Sequence, residues 1–408
     1  MKILHTSDWH IGRMLYGRTR YDEFSMFLNW LAEFIENHSI DILVIAGDIF
    51  DTTTPSHRAQ QLYYRFLHRI CTSSDRHVAV TGGNHDSPSF LDAPKQLLQA
   101  LNVHVTGCMP ENPEDEVIVI RDRTGQAKAV ICAVPFLRDR DIRTAGPGET
   151  ARDKDLKLIR GIRKHYELIA EIAKKKLEEH GKIPVVGMGH LFAAGGSTTD
   201  GDGVRELYVG SLAHVGADIF PGIFDYVALG HLHSAQKVAQ KNHIRYSGSP
   251  LPMGFGEADQ TKKLIIVEFN NRTPEISEQD IPCFQELKKI KGNMEQIIDA
   301  ITYLKHRNSR AWLEIEFTGT MSASLLRAGI DRAVEGSDME IRRIKKSQTT
   351  GQIILKKDLT EVLADLEEKD VFTRLLDSHN IPEQDRPALV MAHEQILTEL
   401  RQRDINAQ

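Results

Sequence analysis

Short apolar runs alternate with amphipathic stretches through the first hundred residues of the chain. Phe24, Phe27, Leu28, Leu31, Phe34 and Ile35 recur at helical spacing and predict a helix over residues 22–38. DILVIAGD (41–48) is apolar without alternation, as expected of a strand buried on both faces of a sheet. Pro55 and Ser56 predict the start of a second helix with Leu62, Phe66, Leu67 and Ile70 on one face. HVAVTGGNHD (77–86) reads as strand into loop, and Ser87 with Pro88 predicts a third helix to about residue 101. This β-α-β-α-β rhythm implies a layered α/β domain.

Beyond residue 103 the pattern changes. VIVIRD and AKAVICAVPF predict paired strands around a turn at Gly125, and residues 153–180 a long basic helix closed by Gly181. IPVVGMGH, FDYVALGHLH, HIRYSGSP and KLIIVEF read as further strands. The simplest arrangement is a second sheet packed on the first, with helices outside. The polar, turn-rich segment 270–282 predicts a boundary. After it, a strand-helix-strand-helix-strand pattern predicts a small α/β unit, and from residue 350 two amphipathic helices break at Ile381–Pro382. The expected organisation is an α/β two-sheet domain over 1–275, a small α/β capping domain over 282–348, and C-terminal helices over 350–408. Two helices bury too little to be a domain alone, so they read as a docking element.

Composition narrows the class. The 408 residues are 41% hydrophobic and 26% charged, ordinary for a folded soluble protein. No apolar run approaches the ~20 residues of a membrane span, and the first residues lack the features of a signal peptide. Cys71, Cys108, Cys132 and Cys283 are scattered, with no CxxC pair, which fits a reducing cytoplasm; Cys132 reads as a buried strand thiol. The net charge is −6, so any nucleic-acid role must rest on local basic patches.

Five fragments share one form, an apolar strand ending in a polar cluster. They carry Asp8 and His10, Asp48, then Asn84, His85 and Asp86, then His190, and finally His231 and His233. Sites in α/β folds lie beyond the carboxyl ends of strands, so the clusters are expected to converge on one edge. The i, i+2 spacing of Asp8/His10 and His231/His233 puts each pair on one side of an extended chain. Oxygen and nitrogen donors without thiols suit manganese, iron or zinc in a non-structural site. Seven candidate ligands fit two ions better than one, with a carboxylate such as Asp48 as bridge. Two such ions suit an in-line phosphoryl displacement.

The ordered set D-x-H, GD, GNHD, GH, GHxH resembles the calcineurin-like metallophosphoesterase superfamily. ILHTSDWHIGR, IAGDIFD, TGGNHDS, PFLRDRDI, GHLFAAGGS, YVGS and RYSGSPLPMGF resemble the SbcD family, the nuclease subunits of bacterial SbcC–SbcD complexes, over residues 1 to about 270. The resemblance implies a two-metal DNA nuclease, usually manganese-dependent. It assigns Asp8, His10, Asp48 and His233 to one ion and Asp48, Asn84, His190 and His231 to the other. It makes His85 a non-ligand histidine that contacts the scissile phosphate and protonates the leaving oxygen, with Asp86 positioned to orient it. It further implies double-strand exonuclease and single-strand or hairpin endonuclease activity in DNA repair and recombination. An SbcC-type coiled-coil ATPase partner and a homodimer within a heterotetramer, built on helices 56–70 and 88–101, are implied too. The chain has no GxxxxGK[ST] motif of its own.

Arg13, Arg18 and Arg20 follow the first ligand cluster and are the expected DNA contacts; Arg138, Arg140, Arg143 and the basic 152–176 helix are weaker candidates. TTDGDG lacks the ligands of a calcium loop and reads as a plain loop. Two other readings stay open: a phosphomonoesterase or cyclic-nucleotide phosphodiesterase on the same metal core, and a catalytically dead scaffold.

Overall fold

The computed structural model describes residues 1–72, 75–143, 149–193 and 216–346, and beyond these Leu376, Arg386, Leu389 and Val390. The chain divides into units Met1–Ser347 and Gln348–Gln408, and the sheets with their covering helices lie in the first. The expected C-terminal helices, the TTDGDG loop and YVGS lie outside the described residues.

The chain opens with β1 (Lys2–Thr6), a ribbon of β2 (Met14–Leu15) and β3 (Arg18–Thr19), α1 (Tyr21–Asn37), β4 (Ile42–Ala46), α2 (His57–Cys71) and β5 (His77–Thr81). Two short helices, α3 (Pro88–Asp92) and α4 (Lys95–Gln99), lead to β6 (Val103–Thr106). The single helix expected here is interrupted at Pro94, which lacks the N–H a continuing helix needs. The antiparallel hairpin of β7 (Val117–Arg121) and β8 (Ala127–Ala133) follows, then α5 (Asp139–Ile142), α6 (Ala151–His180) and β9 (Val185–His190). Next come β10 (Tyr226–Gly230), β11 (Gln236–Val238), β12 (Lys241–Tyr246), β13 (Lys263–Asn270) and β14 (Thr273–Asp280). Two six-stranded sheets result, ordered β14-β13-β1-β4-β5-β6 and β11-β12-β10-β9-β8-β7.

β14 corrects the expected boundary over 270–282. It pairs residue by residue with β13, from Lys263–Asp280 to Asn270–Thr273. Its polar composition and Pro274 suit an exposed edge strand.

The alternation inside the apolar runs builds four layers. Ile42, Val44 and Ala46 face the second sheet, where Ala129, Ile131, Val186, Met188 and Ala228 meet them. Leu43 and Ile45 face the other way, onto Phe24, Leu31 and Ile35 of α1 and Tyr63 and Leu67 of α2. The second sheet buries its outer face under Leu158, Ile162, Tyr166 and Ile169 of α6. Each face is apolar, so the two sheets are held at fixed separation with helices outside. Cys132 is fully buried in β8.

β15 (Leu287–Gly292), α7 (Met294–His306), β16 (Trp312–Phe317), α8 (Ala323–Val334) and β17 (Glu340–Lys346) form a separate three-stranded parallel sheet with its own core around Ile297, Leu313, Ile315 and Ile330. Leu287 and Trp312 of this sheet share a buried cluster with Leu15 of the β2–β3 ribbon and with Phe255. At the ribbon tip Tyr16 stacks on Phe255, and Arg343 donates to the Tyr16 hydroxyl at 2.7 Å. The small sheet is thus seated on the ribbon that leaves the first ligand cluster.

Candidate metal centre

β1, β4 and β5 run parallel in the first sheet, and β9 and β10 run parallel in the second. Their carboxyl ends meet at one seam. Beyond the strands the β1 and β4 loops stay paired: Asp8 N–H donates to Gly47 O and His10 N–H to Asp48 O, both at 3.0 Å. The sheets are laced together where the clusters meet. His190 Nδ1 lies 3.0 Å from Ala46 O, and the His231 N–H donates to Asp8 Oδ1 at 3.0 Å.

The expected extended geometry for Asp8/His10 does not hold. Asp8 (φ 52°), His10 (φ 47°), Asp48 (φ 52°) and His231 (φ 107°) all take positive φ. Non-glycine residues adopt this region at a cost, and it concentrates at functional sites. The side chains converge because the loops curl, not because the strands continue. Gly83 makes that curl possible, since a Cβ there would overlap the Asp48 carboxylate and backbone nitrogen.

The seven expected ligands are brought together. Asp8, His10 and His233 form one tight group, and Asp8, Asp48 and His190 another, each with ligand atoms within 4.8 Å of one another. His10 Nε2 lies 3.2 Å from His233 Nε2 and 3.5 Å from Asp48 Oδ2. His190 Nε2 lies 3.4 Å from Asp48 Oδ2 and 2.9 Å from Asn84 Oδ1. The His231 ring packs against His190, and its buried Nε2 has no hydrogen-bond partner among the described residues. Cations bonded at ~2.0–2.2 Å place neighbouring ligand atoms about 2.8–3.6 Å apart, which is the spacing found here. A buried imidazole nitrogen without a partner and an oxygen-nitrogen donor set free of sulfur fit divalent metal binding.

Without cations the site holds itself together by charge. Burial alone would raise the Asp48 carboxyl, but the adjacent His190, through its charge and a hydrogen bond, holds it far below the usual carboxylate range. Burial opposes charge on His190 too, yet the Asp48 and Asp8 carboxylates lift it to about 9. Burial raises Asp8 above its ordinary value, and burial with neighbouring histidines holds His231 neutral.

The sequence matches the calcineurin-like phosphoesterase family over residues 1–235, and a family described as type 5 capsule protein repressor C-terminal domain over residues 283–380. The SbcD subunit of the nuclease SbcCD of Escherichia coli K12 is 32% identical over 393 residues, covering 95% of this chain and 96% of that protein. The protein of the same name from Rhodobacter capsulatus is 37% identical over 265 residues, 63% and 64% of the two chains. That of Bacillus subtilis is 34% identical over 272 residues, 66% of each. The chain belongs to the SbcD family. As a calcineurin-like member it is a metal-dependent phosphoesterase, and its family uses divalent cations.

Several side chains of this SbcD-family site sit otherwise than expected. Asp86 does not orient His85; its carboxylate accepts the backbone N–H groups of Ile49, Phe50 and Gly83 and ties the β4 loop to the β5 loop. Burial, with the charge of Asp48, raises Asp86 to about 6. His85 instead donates from Nδ1 to the carbonyl of Asp51 at 2.9 Å, and its ring stands edge-on to His10. Arg20 is buried, ion-paired with Glu23 at 2.6 Å and donating to Pro252 O, so it is a structural residue rather than a DNA contact. Arg13 is paired with Asp51 at 3.0 Å beside His10, and Arg18 is half-exposed near Glu340 and over Trp312.

Pattern reading missed Asp51 and Glu257. Asp51 faces His10 Nδ1 at 3.4 Å, and Glu257 faces His233 Nδ1 at 3.4 Å. Asp51 lay in view, three residues past Asp48, but no spacing rule marks it. Glu257 stands 24 positions after His233 on a single turn, Phe255–Glu257, and carries no signal at all.

This geometry has two measurable consequences. Gly83→Ala should displace Asp48 and abolish the rise in melting temperature that manganese gives the parent protein; an undiminished rise would contradict the packing described. In chelator, His190 contributes its stabilisation in full below its unfolded value of about 6.5 and loses it as pH rises through about 9. Melting temperature in chelator should therefore fall across that window, and saturating manganese should reverse the slope because cation binding displaces the proton. A flat profile in chelator would contradict the Asp48–His190 pairing.

Proposed function

We propose that the chain is a two-metal DNA nuclease, acting on double-stranded ends as an exonuclease and on single strands or hairpins as an endonuclease. The observation that carries this reading is the convergence of seven oxygen and nitrogen donors on one seam, with His85 beside them. The relatives are named as SbcD subunits of the nuclease SbcCD, which supplies the substrate class and supports a complex with an SbcC-type coiled-coil ATPase. Asp8, His10, Asp48 and His233 would hold one ion, and Asp48, Asn84, His190 and His231 the second, with manganese the physiological metal. Bound there, the two cations supply Lewis acidity and clamp the attacking and leaving oxygens of an in-line displacement.

The chain's own residues do the rest. Asp48 supplies the negative charge that holds both halves of the seam. The Asp51 carbonyl fixes the Nδ1–H of His85, so that Nε2 is the atom that delivers a proton to the leaving oxygen. Arg13 and Arg18 flank the ribbon beside the site and offer charge to a phosphate backbone. The small sheet within residues 282–348 serves as a DNA-facing cap over the 1–275 domain, and the 350–408 segment docks the ATPase. Dimer formation would use α2 and α4. Tyr63, Phe66 and Leu98 are committed to the core, whereas Leu97 is 72% exposed and available to a second copy.

His85→Ala should retain two manganese ions per chain, by mass spectrometry, while losing about 10²–10⁴-fold in cleavage of a labelled duplex. Unchanged cleavage would remove the acid role. Rapid turnover of para-nitrophenyl phosphate with no cut in hairpin or blunt duplex, with and without SbcC, would favour the phosphomonoesterase reading instead.

A further inference from the structure

Glu257 is fully buried, on the turn between β12 and β13 and outside all five ligand clusters. Its two oxygens are used differently. Oε2 is ion-paired with Lys262 Nζ and accepts from the Met253 N–H at 3.1 Å and Ser249 Oγ at 3.4 Å. Oε1 has no hydrogen-bond donor among the described residues and lies 3.4 Å from His233 Nδ1. His233 Nε2 points to the opposite side, into the group with Asp8 and His10. Lys262 reaches the same residue from behind, donating to the backbone carbonyl of His233 at 3.0 Å and to Ser249 Oγ at 3.1 Å. The buried ion pair thus grips His233 by both side chain and main chain.

A buried carboxylate oxygen without a donor is costly, and the imidazole N–H is the donor in place to satisfy it. An imidazole that carries its proton on Nδ1 presents a lone pair at Nε2, the arrangement by which carboxylates orient metal-binding histidines. We propose that Glu257, itself held by Lys262, is a positioning residue that locks His233 in the Nδ1–H tautomer and aims Nε2 at the cation shared with Asp8 and His10. This inference rests on the two-cation reading of the seam, and it adds to the centre a carboxylate that touches no ion.

The test is titration of chelator-stripped full-length protein with manganese by isothermal calorimetry. The parent should bind two ions. Glu257→Gln should weaken one of the two sites by about 10–100-fold and leave the other unchanged. Glu257→Gln combined with Lys262→Met strands no ammonium, keeps the test available if the single variant fails to fold, and should show the same one-site loss. In ¹⁵N NMR of the histidine rings, His233 should show the Nδ1–H tautomer in the parent and lose it in the variants. A merely structural Glu257 would lower the melting temperature in chelator while both manganese affinities stay at the parent values, and that result overturns the proposal. A parent that binds no manganese would instead remove the metal-centre reading itself.

Discussion

Burying two carboxylates and four imidazoles at one seam is tolerable only if positive charge sits among them. Removing a carboxylate from water costs several kcal/mol unless a partner compensates. Asp8 and Asp48 are fully or almost fully buried, and in the absence of cations the chief compensation is a proton on His190. The fold spends much of its local conformational freedom on maintaining this arrangement. Four of the converging residues hold positive φ, the β1 and β4 loops run paired beyond their strands, and Asp86 stitches a third loop to them through three backbone N–H groups. The apolar sandwich sets the spacing between the halves, because β9 and β10 bring His190, His231 and His233 to a seam whose other side is fixed by β1, β4 and β5.

Around this centre the polar groups are graded by distance from the seam. Asp51 and Glu257 face the outer nitrogens of His10 and His233, and Ser7 donates to Asp8 Oδ2 at 2.5 Å. Such a shell orients imidazoles and carboxylates before any ion arrives, and so limits the reorganisation needed on binding. The ribbon after His10 then carries Leu15 and Tyr16 to the small sheet, and Phe255 on the Glu257 turn packs in the same cluster. The seating of the small sheet and the posture of two ligand-bearing loops therefore share side chains.

Much of this was legible in the sequence for physical reasons. Unbroken apolar runs such as residues 42–46 mark strands covered on both faces, and the polar clusters at their ends had one place to go in an α/β sandwich. What stayed hidden depends on contacts between distant segments. The polar edge strand β14 looks like a linker because its stabilisation comes from hydrogen bonds to β13 and not from burial. Arg20 looks like a phosphate contact because nothing nearby in sequence announces its burial under Pro252. The interruption at Pro94 was visible in principle, since proline removes a helix donor, but the apolar spacing over 88–101 masked it. Asp86 stood beside His85 in sequence yet turns its carboxylate into the backbone.

The central claim is that Asp48 stands between two neighbouring cations. Low-temperature electron paramagnetic resonance of the protein loaded with two equivalents of manganese tests it most directly. Two ions about 3.5–4 Å apart, joined through a common carboxylate, should give an exchange-coupled spectrum. Two isolated six-line signals, or loading that stops short of two ions, would contradict the account.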